Sequence, residues 1–212
     1  MAAMKRFINL FLCSILLCLL SACSLVEELP VFQTKPAHNT IAPKVLTKRE
    51  KELIDLLSGT DEEIYLFSYK ADQEYTQIDF WVEIYKDGVL IDPNAGGFGM
   101  IPQETDAEHT GTLAVSISHT PDYRWRFSLK GISSTSEPNT NYPPDAARGY
   151  QPLVKPIEIE DNKEIILYTS VFSTGSFAAY DNQTYAEQPE LLQRYPYAHI
   201  IKCKFSKVAE EV

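Results

Sequence analysis

The sequence predicts a mainly β protein: an antiparallel β-sandwich of about 7–8 strands with one N-terminal α-helix, at about residues 47–58, packed on it. Three observations predict it. Beyond residue 60, apolar residues alternate with polar ones along several short segments, as at Ile78, Phe80, Val82 and Ile84. Turn-forming pairs such as Asp87-Gly88 and Asp161-Asn162 separate those segments. Only one earlier segment has a period near four, and no strand–helix–strand alternation follows it, so a parallel sheet is not expected.

Thr47 opens the helix. Thr47 and Glu50 have capping-box spacing, in which each side chain satisfies an otherwise unpaired backbone donor of the other. Leu53, Ile54, Leu56 and Leu57 supply an apolar stripe, and Gly59 suits a left-handed cap at the end. Such a stripe needs a surface to cover. Trp81 and Tyr85, on the face opposite Ile78–Ile84, are expected beneath it.

The strands follow in order. Ile64, Leu66 and Ser68 alternate with Tyr65, Phe67 and Tyr69. The run from Ile78 to Ile84 turns at Asp87-Gly88 into Val89-Leu90-Ile91, a tight hairpin. Leu113, Val115 and Ile117 lead through a turn at 119–122 into Tyr123, Trp125, Phe127 and Leu129, a second hairpin. Ile157 and Ile159 with Ile165–Phe172 are expected as a third pair around Asp161-Asn162. The last strand, about 198–206, puts His199, Ile201, Cys203 and Phe205 on one face and Lys202 and Lys204 on the other. Two long connections remain, 131–151 and 174–197, the second with a short helix near Pro189–Arg194.

Residues 1–22 read as a signal peptide. Lys5 and Arg6 form a positive start, and an apolar run from Phe7 to Leu20 follows, too short to span a bilayer. The run ends in Leu20-Ser21-Ala22-Cys23, which resembles the lipobox of bacterial lipoproteins. The resemblance implies diacylglycerol on the Cys23 sulfur, with N-acylation of the new terminus as an option, and cleavage before Cys23. It also implies a cell-membrane location, lipid-anchored and facing outside, since two acyl chains suffice for stable anchoring. Residues 23–46 carry Pro30, Pro36 and Pro43 without a sustained period and read as a tether. Leu29-Pro30-Val31-Phe32 within it is an apolar patch able to dock on the domain. A single β-rich domain then occupies 47–212.

Charge and cysteine counts agree with that placement. Of 212 residues, 19 are Lys or Arg and 29 Asp or Glu, a net charge of −10. Loss of residues 1–22 removes Lys5 and Arg6 and no acid, leaving a net −12. Such a body repels a nucleic-acid backbone and an anionic lipid surface alike, so no nucleic-acid partner is expected and the lipid alone would anchor it. Cys13 and Cys18 leave with the signal and Cys23 takes the lipid. Cys203 then stands alone, and no intramolecular disulfide is expected.

The chain has no Gly-x-Ser-x-Gly, Ser-x-x-Lys, His-Glu-x-x-His or Cys-x-x-Cys motif and no Gly-Lys dipeptide. No catalytic residue, cofactor or metal is therefore assigned. Gly96-Gly97-Phe98-Gly99 lacks a following helix and reads as a flexible turn. His199 and Cys203 are four strand residues apart, roughly 13 Å, too far for a catalytic dyad; Cys203 reads as a small buried hydrophobe. A zinc site would need His109 and His119 to converge with an acid. Asp92, Asp106, Asp122, Asp145, Asp161 and Asp181 fall in expected loops without calcium-loop spacing. The candidate ligand-binding residues are Tyr180, Tyr185, Tyr195 and Tyr197, crowded before the last strand, with Tyr142 and Tyr150 in the other connection. Tyrosines so placed form a sugar- or peptide-binding face or, equally in kind, anchor the loops to the sandwich.

Three segments, Thr47–Gly59, Phe80–Gly88 and Tyr197–Ser206, together resemble a loose set of uncharacterised surface lipoproteins from Firmicutes. The likeness implies a Gram-positive cell surface and transfers no activity or residue role. Three functional classes stay open. The first is a non-enzymatic binding, sensing or accessory domain with an envelope protein or glycan partner. The second is a structural or interaction subunit of an envelope complex, which an exposed apolar patch would favour. The third is an envelope glycan or peptide hydrolase, which paired acids about 5–9 Å apart in a pocket would favour.

Overall fold

A computed structural model of the chain describes residues 37–59, 61–101, 109–119, 123–137, 146–175 and 178–207. The signal peptide, Cys23, the Leu29–Phe32 patch, Asp106, Asp122, Tyr142 and Asp145 lie outside the described residues. The architecture is mainly β, as the sequence predicts, and the twelve strands among the described residues exceed the expected number because short edge strands add to the main ones.

One sheet contains β1 (Thr40–Pro43), β2 (Glu62–Ala71), β6 (His109–Ser118), β7 (Arg124–Leu129), β8 (Ile132–Ser136) and β10 (Ile157–Glu158), in the order β10-β1-β2-β6-β7-β8. The other contains β3 (Gln77–Lys86), β4 (Val89–Asp92), β9 (Ala147–Pro152), β11 (Glu164–Ser173) and β12 (Tyr197–Ser206), in the order β4-β3-β12-β11-β9. A further short strand, β5 (Gly97–Met100), pairs with the β4 edge of β3. All pairings are antiparallel.

The inward set is the alternating one. Ile78, Phe80, Val82 and Ile84 meet Leu113, Val115, Ile117, Trp125, Phe127 and Leu129 in one buried cluster, with Cys203 and Phe205 from β12. Burying alternate large side chains is what holds two sheets together, at about 1.5–3 kcal/mol for each Val, Leu, Ile or Phe removed from water. Cys203 is fully buried and free, and burial pushes its thiol above the ordinary range.

The structure departs from the sequence reading in six places: β8 and most of β9 lie within the expected connection 131–151, Gly59 lacks the positive φ of a left-handed cap, and four further differences follow. Residues 40–43, expected within the tether, form β1 between β2 and β10; the prolines hid the pattern, although Pro43 sits at a strand end where a missing donor is tolerated. Asp161-Asn162 does not turn a hairpin: β10 pairs with β1 and β11 with β12, so this turn carries the chain from one sheet to the other. Gly96–Gly99 is not a free turn but an edge strand. An added Cβ on Gly97 would lie 1.9 Å from the Phe80 carbonyl oxygen, so only glycine allows that approach. The last departure concerns the leading helix.

α1 (Lys48–Leu57) has its predicted capping box, with the Thr47 amide donating to Glu50 Oε2 at 2.9 Å and the Glu50 amide donating to Thr47 Oγ1 at 3.2 Å. It is not packed on the sandwich as expected, for it buries no residue, and Leu56 and Leu57 are each 79% exposed. The sheet face that its stripe was expected to cover is occupied by the chain before β12. There α2 (Asn182–Glu187) and a 3-10 turn (Pro189–Arg194) lay Tyr185, Leu192 and Tyr195 on Ile166, Ala198 and Ile200, a second buried cluster. The β3–β4 hairpin has positive φ at both Asp87 (49°) and Gly88 (76°), as a type I′ turn demands. Its tip lies against Gln193 of the 3-10 turn.

Candidate functional site

The outer face of the second sheet is divided by its own alternation. On β3 the outward residues are Gln77, Asp79, Trp81, Glu83 and Tyr85, because the residues between them fill the core. Tyr85 packs against the second cluster under the 3-10 turn. Glu83 marks the border. Although almost buried, it accepts from Tyr85 Oη at 2.6 Å, from Trp81 Nε1 at 3.3 Å and from Lys202 Nζ at 2.9 Å. Lys202 also reaches Glu164 Oε2 at 2.7 Å. Burial, reinforced by the bond to Glu83, pushes the Tyr85 phenol well above its ordinary range.

Beyond that border the face is open and forms a groove of about 370 Å³. Register builds it. Gly99, Asp79, Lys204 and Glu164 stand side by side on β5, β3, β12 and β11, and the adjoining row is Gly97, Trp81, Lys202 and Ile166. An acid, a base and an acid thus line up across three strands, beside an indole whose neighbour on the edge strand is a glycine. Gln77 Nε2 donates to both Asp79 carboxylate oxygens, at 2.8 and 2.9 Å, and so orients that carboxylate. Trp81, Asp79, Asn94, Glu164 and Lys204 line the groove. The site offers an aromatic surface, acceptors of fixed direction and one ammonium group.

A second polar cluster lies between the sheets. Arg148 of β9 pairs with Glu63 of β2, and its Nη1 is 2.8 Å from His119 Nε2, 3.4 Å from Tyr123 Oη and 3.3 Å from Tyr168 Oη. Its guanidinium lies over the Tyr150 ring, 4.7 Å from the centroid. Tyr65 Oη donates to Glu63 Oε2 at 2.8 Å. Burial works to raise the Glu63 carboxyl, but the bonds from His119, Arg148 and Tyr65 outweigh it and hold it at about 2. The carboxylate is thus charged at neutral pH and held by its partners as a brace. Next to it His199 sits among Tyr123, Trp125 and Phe172, with ring centroids 5.0, 4.8 and 5.0 Å away. Burial, with the nearby Arg148 charge, pushes its imidazole down to about 3, so it stays neutral.

The tyrosines proposed from sequence are distributed unequally. Tyr185 and Tyr195 are buried, with Tyr185 Oη donating to Tyr195 Oη at 3.1 Å and Tyr195 Oη bonded to the Ala178 carbonyl. Tyr180 is partly exposed and takes a bond from Arg194, and Tyr197 points to the main core with Lys86 over its ring. Three of the four therefore anchor the chain before β12. Sequence reading did not single out Gln77, Asp79, Lys204, Glu63 or Arg148. The available signal for Gln77 and Asp79 was the polar outward set around a lone Trp on β3, and for Lys204 its outward place on the last strand; for Glu63 and Arg148 there was none, since they are 85 residues apart. His109 and His119 close the two ends of β6 and do not converge.

Residues 40–205 match a family model described as the YgaN domain. No match was found among curated proteins or among solved structures. With more than half of its length covered by that model, the chain belongs to the YgaN domain family.

Proposed function

We propose that this YgaN-domain chain is a lipoprotein held by diacylglycerol on Cys23 at the outer face of the cell membrane, where its sandwich serves as a non-enzymatic binding or accessory module. The observation that carries the reading is the order of features at the start of the chain: two basic residues, an apolar run and Leu20-Ser21-Ala22-Cys23. Between Cys23 and β1, which begins at Thr40, the sequence carries Pro30 and Pro36, the composition of a spacer. The open groove on the second sheet is the surface this module would use.

Labelling cells with a palmitate analogue tests the anchor. The full chain takes up label and fractionates with membranes, while Cys23→Ala leaves it unlabelled. Equal labelling of that variant overturns the reading.

A second reading, an interaction subunit, is favoured by β4. Val89, Leu90 and Ile91 on this edge strand are 64, 43 and 50% exposed, and such an edge invites pairing. Crosslinking of the full chain on cells to one partner through Leu90 would support it. The hydrolase reading gains less. Asp79 and Glu164 share the groove but stand two strands apart, roughly 10 Å between backbones, with Lys204 between them.

A further inference from the structure

We infer that the groove beside Trp81 is a saccharide site, taking a neutral or amino-substituted pyranose chain. The inference rests on the binding-module reading above and adds the ligand class. A pyranose presents an apolar C–H face and a rim of hydroxyls, and it needs a flat aromatic surface flanked by planar polar groups. Trp81 supplies the first. Its indole N–H is engaged by Glu83, which fixes the ring, and Gly97 at its side on β5 brings no side chain over it. Asp79 supplies the second. Gln77 occupies one lone pair on each carboxylate oxygen, and each oxygen keeps another for a hydroxyl. Lys204 and Glu164 continue the row, giving a donor and an acceptor along the path of a second ring.

Charge and backbone narrow the ligand. Asp79 and Glu164 against Lys204, with Lys202 reaching Glu164 from the adjoining row, leave the groove without excess positive charge, and on a chain of net charge −10 this disfavours a polyanion. The groove runs over a sheet face whose backbone groups are already used in the β3–β5 and β3–β12 ladders, so an extended peptide gains no main-chain pairing there. What remains for recognition is side-chain chemistry suited to hydroxyls.

The test uses the full chain in micelles of a detergent without a sugar headgroup. N-acetylchitotetraose and cellotetraose are titrated and tryptophan emission is followed; only Trp81 and Trp125 emit, and Trp125 is fully buried. At least one saccharide is expected to saturate with Kd below about 1 mM, weakened about tenfold or more by Asp79→Asn and, measured by calorimetry because the variant lacks the emitting ring, by Trp81→Ala. Trp81→Phe keeps an aromatic floor and is expected to retain binding by calorimetry, which separates a lost surface from a lost fold. Absence of saturation by either saccharide up to about 10 mM overturns the inference. So does binding indifferent to both Trp81→Ala and Asp79→Asn, or saturation by an Ala-Lys-Ala peptide in place of the sugars. These readouts are independent of palmitate labelling, so failure here leaves the anchoring to its own test.

Discussion

Arg148 on β9 crosses from one sheet to Glu63 on β2 of the other, and the pair is the polar brace of the sandwich. Both side chains are largely shielded, at 18 and 26% exposure. The pair makes further hydrogen bonds, Arg148 donating to His119 and Tyr65 donating to Glu63, the condition under which a shielded ion pair repays its desolvation. Removing one partner leaves the other charged and poorly solvated. Arg148→Met should lower stability by about 2–4 kcal/mol in urea unfolding, and adding Glu63→Gln should restore part of that loss. A double variant no better than the single one would remove the brace from this account.

Stability should fall with acid in two steps. The unfolded imidazole of residue 199 protonates near pH 6.5, whereas the folded one resists until about 3, so the unfolded state binds more protons and folding weakens as pH drops below 6.5. Glu63 adds a second loss below about pH 4.5, since its folded carboxyl holds at about 2. Its contribution is roughly 2 kcal/mol once partial exposure is allowed for. Thermal melts from pH 7 to 3 check this. His199→Phe should flatten the curve from 6.5 down to about 3, and Glu63→Gln only below 4.5.

Gly97→Ala places a methyl 1.9 Å from a backbone oxygen, at a φ of 155°. No rotamer relieves that contact, and β5 must leave β3. A loss of about 3 kcal/mol or more is expected in chemical denaturation. A near-neutral result would mean that β5 is held by other contacts.

Two leucines that look alike in sequence should respond differently. Leu56 is exposed on α1, and Leu56→Ser should change stability by about 0.5 kcal/mol or less. Leu192 is buried under the 3-10 turn, and Leu192→Ala should cost about 2–4 kcal/mol. Parallel melts of the two variants decide it.

Alanine at Tyr185 or Tyr195 is a packing change. Each should destabilise by about 3 kcal/mol or more, loosening the chain before β12, whereas Tyr195→Phe removes only hydrogen bonding and should cost about 1 kcal/mol. Hydrogen exchange at 182–196 reads the loosening directly.

The parts legible in the sequence were those whose cause is local. Thr47 and Glu50 are three residues apart, so their capping box forms whatever surrounds it. Ile78, Phe80, Val82 and Ile84 alternate because a strand turns each side chain over at every step, and the positive φ at Asp87 and Gly88 follows from a two-residue hairpin. Partners across long loops were illegible by the same logic. Periodicity marks which residues point inward, but not which sheet face meets which cover. The apolar stripe of α1 and the residues of the 3-10 turn competed for one face, and the turn holds it, with Tyr185, Leu192 and Tyr195 filling it.

By itself the sequence determined the β-rich class, the alternation of each main strand and the capped helix, since each depends on neighbours a few residues apart. The tertiary structure alone decided that Asp79, Lys204 and Glu164 share a row, that Trp81 floors a groove instead of lying under a helix, and that Arg148 meets Glu63. Those juxtapositions depend on strand register and sheet order, which are selected by the packing of the whole core and leave no trace in any short stretch of chain.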